Sequence, residues 1–296
     1  MPSASLCVAV RRAPSPAPEL FEALPVQQLR FGGAVPLAAQ LDVFSGDPNF
    51  MTSLARGLLV IQAFSEQKLN FSISQLSKRT GLSRASVRRC LYTLSKLGFA
   101  GTDNGRNFYL CPRVLALGHS YLSSMPLATA AQPMLEHLSQ ILCESFSVAV
   151  LEGADIVHVA RSGAARTVAN DLGMGTRLPA FCTSIGRVLL ANLSPEELER
   201  VMPRIEFKRN TDRTTMSAIK LRNVLMTVRR EGYAIVDQEL ESGLRSMAVP
   251  VRNPAGRVAA AIEVEVRGQN VSVQHMQTRF LPYLRAAAQE LCLLLR

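Results

Sequence analysis

Apolar side chains recur at helical spacing in three segments near the N-terminal third of the chain. They predict helices over residues 52–64, 72–80 and 84–97. The second helix opens on Ser72-Ile73-Ser74-Gln75, where serine and glutamine have the spacing of a capping box. Gly81 can end that helix in the left-handed backbone conformation. A short helix, a glycine turn and a longer helix together predict a helix-turn-helix, whose last helix can enter the major groove of DNA.

The pattern changes to short extended runs after the third helix. Residues 99–102 and 106–110 flank Asn104-Gly105, a pair that favours a tight hairpin turn, so the sequence predicts a wing. An amphipathic helix is predicted over residues 112–124. Two interpretations stay open for it: a linker packed on the first module, or a helix that pairs with its copy in a second subunit.

The rest of the chain alternates between helical and strand-like segments, which predicts an α+β domain. The predicted helices cover residues 127–142, 184–191, 196–202, 219–230 and 273–295. The predicted strands cover residues 146–151, 156–160, 233–237, 247–251 and 258–266. The domain organisation that follows is a disordered Pro/Ala-rich tail over 1–47, a winged helix-turn-helix over 48–111, a linker helix over 112–124, and an effector-binding and oligomerisation domain over 125–296.

Positive charge concentrates in the predicted winged helix-turn-helix. The chain carries a net charge of +10, and residues 48–124 hold ten Lys/Arg against two Asp/Glu. A solvated basic surface would account for charge alone, but charge on a helix-turn-helix indicates a nucleic-acid-binding module. The residues predicted to contact DNA lie at the caps, on the third helix and at the wing tip: Ser72, Ser83, Arg84, Ala85, Ser86, Arg88, Arg89, Tyr92 and Arg106.

Catalytic and metal-binding patterns are weak in this sequence. The six cysteines form no C-x-x-C pair and the four histidines complete no metal-ligand spacing, which disfavours zinc and disulfides and suits a reducing cytoplasm. Thr183-Ser184-Ile185-Gly186 is not a nucleophile elbow, and Cys182 is a lone thiol. No apolar run approaches the ~18 residues of a membrane span. We therefore expect a non-enzyme without cofactor or membrane partner. Two alternatives remain: an enzyme with an incidental basic module, and a DNA-binding structural protein without a ligand.

Five longer segments resemble the IclR family of bacterial transcriptional regulators. They read SLARGL at residues 53–58, TGLSRA at 80–85, LPAFCTSIGRVLLA at 178–191, GYAIVDQE at 232–239 and GLRSMAVPV at 243–251. The resemblance covers about residues 50–296 and is greatest to the branch that governs aromatic-acid catabolism. It implies a GAF-like C-terminal domain, double-stranded operator DNA as a partner, and a small organic acid, aromatic or dicarboxylic, as effector. It also implies a homodimer or a dimer of dimers.

By matching positions, the resemblance also implies which residues of this chain form an effector site. Its residues would be Met174, Gly175, Leu178, Pro179, Ala180, Asp237, Ser246, Glu263 and Glu265. Family members usually have small polar residues where the two glutamates stand. Because alternate strand residues share a face, Glu263 and Glu265 would repel an anionic effector unless Arg177 or Arg245 paired with them or a proton were retained. The alternative is that this face is partly solvated.

Overall fold

The structure is a computed structural model that describes residues 37–64, 70–123, 126–163, 173–267 and 271–294. Of the disordered tail predicted over residues 1–47, residues 1–36 lie outside the described ranges. The described helices are α1 (Leu37–Gln40), α2 (Thr52–Gln62), α3 (Ile73–Thr80), α4 (Arg84–Lys96), α5 (Leu115–Ser123), α6 (Pro126–Leu142), α7 (Ser184–Ala191), α8 (Pro195–Val201), α9 (Ala218–Glu231), α10 (Val273–Arg279) and α11 (Leu281–Leu294). The strands are β1 (Phe71–Ser72), β2 (Ala100–Thr102), β3 (Asn107–Leu110), β4 (Ser145–Glu152), β5 (Asp155–Ser162), β6 (Arg177–Pro179), β7 (Ala234–Asp237), β8 (Leu244–Arg252) and β9 (Val258–Arg267).

Helices α2, α3 and α4 form the predicted helix-turn-helix around a small core. Leu76, Val87 and Leu91 are fully buried in it. The capping box that begins α3 is present, because the Ser72 hydroxyl accepts from the Gln75 backbone N–H while the Gln75 side chain accepts from the Ser72 N–H. Gly81 follows α3 with φ +76°, the left-handed conformation that only glycine adopts without strain.

The predicted wing is confirmed as an antiparallel hairpin of β2 and β3. The Asn104 side chain shapes its turn, since Oδ1 accepts from the backbone N–H groups of Arg106 and Asn107 at 2.9 and 3.0 Å. A third strand, β1, pairs with β3 on the other side and gives the order β1-β3-β2. Sequence periodicity missed β1 because a two-residue strand is too short to show alternation.

Residues 37–47, which the sequence assigned to the disordered tail, contain ordered structure, so that part of the prediction was wrong. Helix α1 runs into a 3₁₀ turn over Leu41–Phe44. Leu41 is buried against Leu59 of α2, and the Phe44 ring stacks on Phe50 with centroids 4.4 Å apart. These apolar contacts order a segment whose own sequence shows no periodicity.

The second domain confirms the predicted α+β class. Its six antiparallel strands follow the order β6-β5-β4-β9-β8-β7. One face of the sheet packs on α6, α10 and α11 through a core that includes Phe146, Ile262 and Phe280. The other face packs on α7 and α9 through a core that includes Ile185 and Leu221. Each helix therefore covers the sheet with its apolar stripe.

The closing helix predicted over residues 273–295 is divided, which corrects the sequence analysis. Helix α10 ends before Phe280, and α11 begins at Leu281. Pro282 stands in the first turn of α11. Proline has no N–H to bond to the carbonyl four residues before it, and its ring crowds that carbonyl, so a continuous helix is broken here.

Candidate DNA-binding face and candidate effector site

Helix α4 starts with a side-chain cap at Ser83. The Ser83 hydroxyl accepts from the Ser86 backbone N–H at 3.2 Å. Val87, Leu91 and Leu94 anchor the opposite side of the helix in the core. The free N–H groups of the first turn carry partial positive charge, which favours a phosphate nearby.

The solvent side of α4 carries most of the residues that the sequence nominated for DNA. Arg84, Ala85, Arg88, Arg89 and Tyr92 are exposed there. Across the described chain, none of the three arginines has an ion-pair partner. Their guanidinium groups are thus available to phosphates or base edges.

Two other nominated residues lie on neighbouring elements, the wing turn and the start of α3. Arg106 is exposed next to the wing turn. The Ser72 hydroxyl accepts the hydrogen bond that caps α3, and it can still donate one of its own.

An apolar groove of about 580 Å³ lies between α4 and α2, and Leu54 and Leu58 are exposed in it. Ser86 and Arg89, which the sequence nominated for DNA, also line this groove.

In the second domain, polar residues form rows across the sheet face that α7 covers. Strand register places Ser145, Glu265 and Ser246 side by side on β4, β9 and β8. In the next row, Ser147 lies opposite Glu263. Directly opposed residues have Cβ atoms about 4.5–5.5 Å apart, so these groups form one cluster.

Glu263 lies at the centre of this cluster with 3% of its surface exposed. Its carboxyl group accepts hydrogen bonds from the hydroxyl of Ser147 at 2.9 Å and from that of Ser184 at 2.6 Å. Burial, with a further contribution from neighbouring Glu265, raises the pKa of Glu263 to about 8. The alternative of a partly solvated face is therefore wrong.

The arginine that pairs with the glutamates is Arg161 of β5, which the sequence analysis did not nominate. Its Nη2 lies 2.5 Å from Oε2 of Glu265. The expected partners have other contacts: Arg177 pairs with Glu152 and Asp155, and Arg245 pairs with Asp237. That part of the expectation was wrong, because each arginine is held by other carboxylates, Arg177 by those of β4 and β5 and Arg245 by that of β7.

A β-bulge brings His158 onto the same face as Arg161. The pairing of β4 with β5 shifts between Val148 and Ala149, so that Arg161 lies opposite Ser147 and His158 opposite Ala149. Strict alternation would place residues three apart on opposite faces, which is why the sequence did not reveal the pair. His158 is 1% exposed, and burial lowers its pKa to about 4, so its ring is neutral at pH 7.

The remaining nominated effector residues lie around the cluster rather than within it. Gly175 donates its backbone N–H to the His158 carbonyl at 2.8 Å, which holds the loop against β5. Met174 is 61% exposed, Leu178 and Pro179 pair with β5 from strand β6, and Ala180 is buried under α7. Asp237 stands on β7, where Arg213 and Arg245 pair with it.

Ala180 contacts α7 so closely that Gly186 has no room for a side chain. A Cβ at Gly186 would lie 2.1 Å from the Ala180 carbonyl oxygen. The Thr183-Ser184-Ile185-Gly186 segment therefore has a structural role: Thr183 caps α7, and Gly186 lets the helix approach and place Ser184 on Glu263. In the described part of the chain, no cluster of metal-ligating side chains and no helix of membrane-spanning character occurs.

The folds and sites described so far define a winged-helix protein with a separate α+β domain that has a charged interior. The family model for the IclR helix-turn-helix domain matches residues 53–104, and the model for the bacterial transcriptional regulator IclR C-terminal domain matches residues 119–293. The chain therefore belongs to the IclR family of bacterial transcriptional regulators.

Particular relatives agree with this membership. The Pca regulon regulatory protein of Pseudomonas putida is 49% identical over 256 residues, which cover 86% of this chain and 88% of that protein. A transcriptional regulator from Rhodococcus sp. RHA1 is 42% identical, with a TM-score of 0.73 over 83% of this chain and 98% of its own. An IclR homologue from Microbacterium hydrocarbonoxydans, solved with 4-hydroxybenzoate, is 26% identical, with a TM-score of 0.71 over 82% and 99%.

Proposed function

We propose that this regulator binds double-stranded operator DNA with α4 in the major groove and the wing on the adjacent backbone. The observation that carries the proposal is the set of exposed arginines on α4, which form no ion pair with any residue that the structure describes. The DNA-binding residues would be Ser72, Ser83, Arg84, Ala85, Ser86, Arg88, Arg89, Tyr92 and Arg106. In the proposed organisation, residues 48–111 bind DNA, 112–124 link, and 125–296 bind the effector and oligomerise.

The second part of the proposal is control by a small organic acid of aromatic-compound catabolism. The Pseudomonas putida relative is named for the Pca regulon, and the Microbacterium homologue was solved with 4-hydroxybenzoate. A buried polar cluster in the C-terminal domain of this chain supports such a ligand. The nominated effector residues Met174, Gly175, Leu178, Pro179, Ala180, Asp237, Ser246, Glu263 and Glu265 would lie in or around its site.

The proposal includes regulation without catalysis. The one thiol considered as a nucleophile, Cys182, is buried, and burial raises its pKa to about 12. A thiol in that state is protonated and inert near neutral pH. Since bacterial DNA lies in the cytoplasm, an operator-binding protein would act there.

We further propose that the chain acts as a homodimer or a dimer of dimers. Leu54 and Leu58 of α2, Leu97 after α4 and Leu117 of α5 are each 47–58% exposed around the groove between α2 and α4. Such a cluster favours a protein interface, and a twofold dimer matches two operator half-sites. Light scattering tests this: Leu58→Glu is expected to lower the oligomeric mass, and an unchanged mass would remove this groove from the interface.

The direct test of the function is fluorescence anisotropy with DNA from upstream of the gene. We expect binding that falls steeply with salt, exceeds binding to random DNA at least about 1,000-fold, and shifts when 4-hydroxybenzoate or another small acid is added. Equal affinity for random DNA would contradict operator recognition. Operator binding that no small acid alters would support the DNA-binding function and contradict control by an effector.

A further inference from the structure

Three buried polar atoms of β5, on the sheet face that α7 covers, have no hydrogen-bond partner within the described residues. They are both ring nitrogens of His158 and Nη1 of Arg161. A fourth such atom, Nε of Arg267 on β9, belongs to an arginine that pairs with Glu241 through Nη2. An unpartnered buried polar atom destabilises the folded state, so folded proteins rarely leave several together. The bulge brings both residues onto one face of the sheet, and their common position there indicates an occupant with hydrogen-bonding groups of its own.

The two residues offer complementary donors to such an occupant. Nη2 of Arg161 pairs with Glu265, whereas Nη1 has no partner among the described residues. His158 is neutral, so one ring nitrogen donates. A guanidinium beside an imidazole N–H is suited to the two oxygens of a carboxylate.

Charge balance around Glu263 decides whether an anion can enter. The charged groups that face Glu263 and Glu265 are Arg161 of β5, Arg267 of β9 and Glu241, which pairs with Arg267. The other groups that contact Glu263 are neutral hydroxyls, Ser147 of β4 and Ser184 of α7. With every carboxyl group ionised, three negative groups face two positive ones, and an anion would add to the excess. One proton on the glutamate pair restores neutrality before the anion binds.

We propose that Arg161 and His158 receive the carboxylate of a small organic acid, and that the Glu263–Glu265 pair holds one proton for as long as that acid is bound. The inference rests on the proposed effector control and deepens it, since it assigns the acid's anchoring residues and a proton that travels with it. Arg161 and His158 then recognise the carboxylate of the acid, and the glutamate pair permits binding only when it carries a proton.

Because acid binding and proton binding at the glutamate pair are linked, the affinity for the acid depends on pH with a definite sign. Burial beside Glu265 raises the pKa of Glu263 to about 8 in the free protein, and a bound anion raises it further. Below about pH 7 the proton is already present, so affinity is constant and binding takes up almost no proton. Above pH 8 each acid bound must bring a proton, so affinity falls by up to about tenfold per pH unit.

The experiment uses the full chain and three probes that have no group titrating between pH 7 and pH 9: benzoate, terephthalate and adipate. The acid that most raises the melting temperature is titrated by calorimetry at pH 7 and pH 9, in two buffers of different ionisation enthalpy. We expect close to one proton taken up per acid at pH 9 and close to none at pH 7. Glu263→Gln, which copies the protonated carboxyl group, should lose the uptake at pH 9, so that its own affinity is the same at pH 7 and at pH 9. Uptake that persists in Glu263→Gln would overturn the proton assignment.

The role of Arg161 in binding the acid is tested by substitution, with Arg222 as the control arginine. Arg161→Gln should weaken the acid about 10- to 100-fold, the range of a charge-assisted hydrogen bond, and Arg161→Lys should recover part of the loss. Arg222→Gln, at an exposed pair with Glu199, should bind the acid as the wild type does. Equal affinity of Arg161→Gln and wild type would overturn the anchoring role. Operator binding in acid-free buffer separates the two proposals: if it persists while no probe raises the melting temperature, only the acid site is overturned.

Discussion

Arginine is used in opposite ways in the two domains. On α4, Arg84 and Arg88 are exposed and, within the described chain, form no ion pair. In the second domain, Arg187 is 3% exposed and holds Glu239 through two N–O contacts of 2.7 Å. Exposed unpaired arginines contribute little to folding and are available to a polyanion, whereas a buried pair fixes the structure around it. Arg161 is intermediate: Nη2 pairs with Glu265, and Nη1 has no partner in the part of the chain that the structure describes.

The contrast shows why net charge alone is a poor guide to function. An excess of positive charge indicates a partner only where the cations lack internal partners. In the second domain, Arg187, Arg213 and Arg245 pair with carboxylates. Around the buried glutamates, the atoms without a partner among the described residues are a few nitrogens rather than a surface. A few free atoms suit a small ligand, and a free surface suits DNA.

The largest expected effect comes from breaking a buried pair. Glu239→Ala leaves the Arg187 guanidinium buried without its carboxylate, and we expect the free energy of unfolding to fall by about 3–5 kcal/mol. Urea denaturation followed by circular dichroism measures this. Glu199→Ala, which removes the partner of exposed Arg222, is the matched control and should leave the free energy of unfolding close to that of the wild type. Equal losses in the two variants would remove the distinction between buried and exposed pairs.

The next effect concerns the helix that carries Ser184 to Glu263. Gly186→Ala places a methyl group against the Ala180 carbonyl, and we expect a loss of about 1–3 kcal/mol in urea denaturation. Gly118→Ala in α5, where nothing lies within 4 Å of the added Cβ, should instead be neutral or stabilise by up to about 1 kcal/mol. A harmless Gly186→Ala would show that α7 can move away from Ala180.

A smaller effect is expected on the exposed side. Ser83→Ala removes the cap of α4, with a predicted cost of about 0.5–2 kcal/mol to the stability of the winged-helix domain. Hydrogen exchange of α4 amides reports it. Ser83→Asp keeps a cap acceptor and should restore the protection. Unchanged exchange in Ser83→Ala would mean that tertiary packing alone holds the first turn.

The smallest effect is expected at the wing. Arg106 is exposed beside the hairpin turn, so Arg106→Ala should weaken operator and random DNA alike. The slope of log affinity against log salt should decrease by about 1, because one phosphate contact is lost. Loss confined to the operator would instead make Arg106 a base-reading residue.

Local signals in the sequence predicted the winged helix well. Caps at Ser72 and Ser83, the turn at Gly81 and the Asn104-Gly105 hairpin are each determined by neighbouring residues. The shared face of Glu263 and Glu265 also followed from simple alternation. His158 and Arg161 could not be found that way, because a bulge that depends on pairing with β4 changes the alternation between them. Strand β1 and the ordered segment around Leu41 likewise depend on partners distant in sequence.

The most direct test of the account measures how well the chain discriminates its operator. DNA selected from a random library by the wild-type chain is compared with unselected DNA in anisotropy titrations of the wild type and of Arg84→Ala/Arg88→Ala. We predict that each substitution costs about 1–3 kcal/mol on selected DNA and much less on unselected DNA, so that the double variant loses most of its discrimination. Wild-type discrimination in the double variant would contradict the assignment of α4 as the DNA-reading helix.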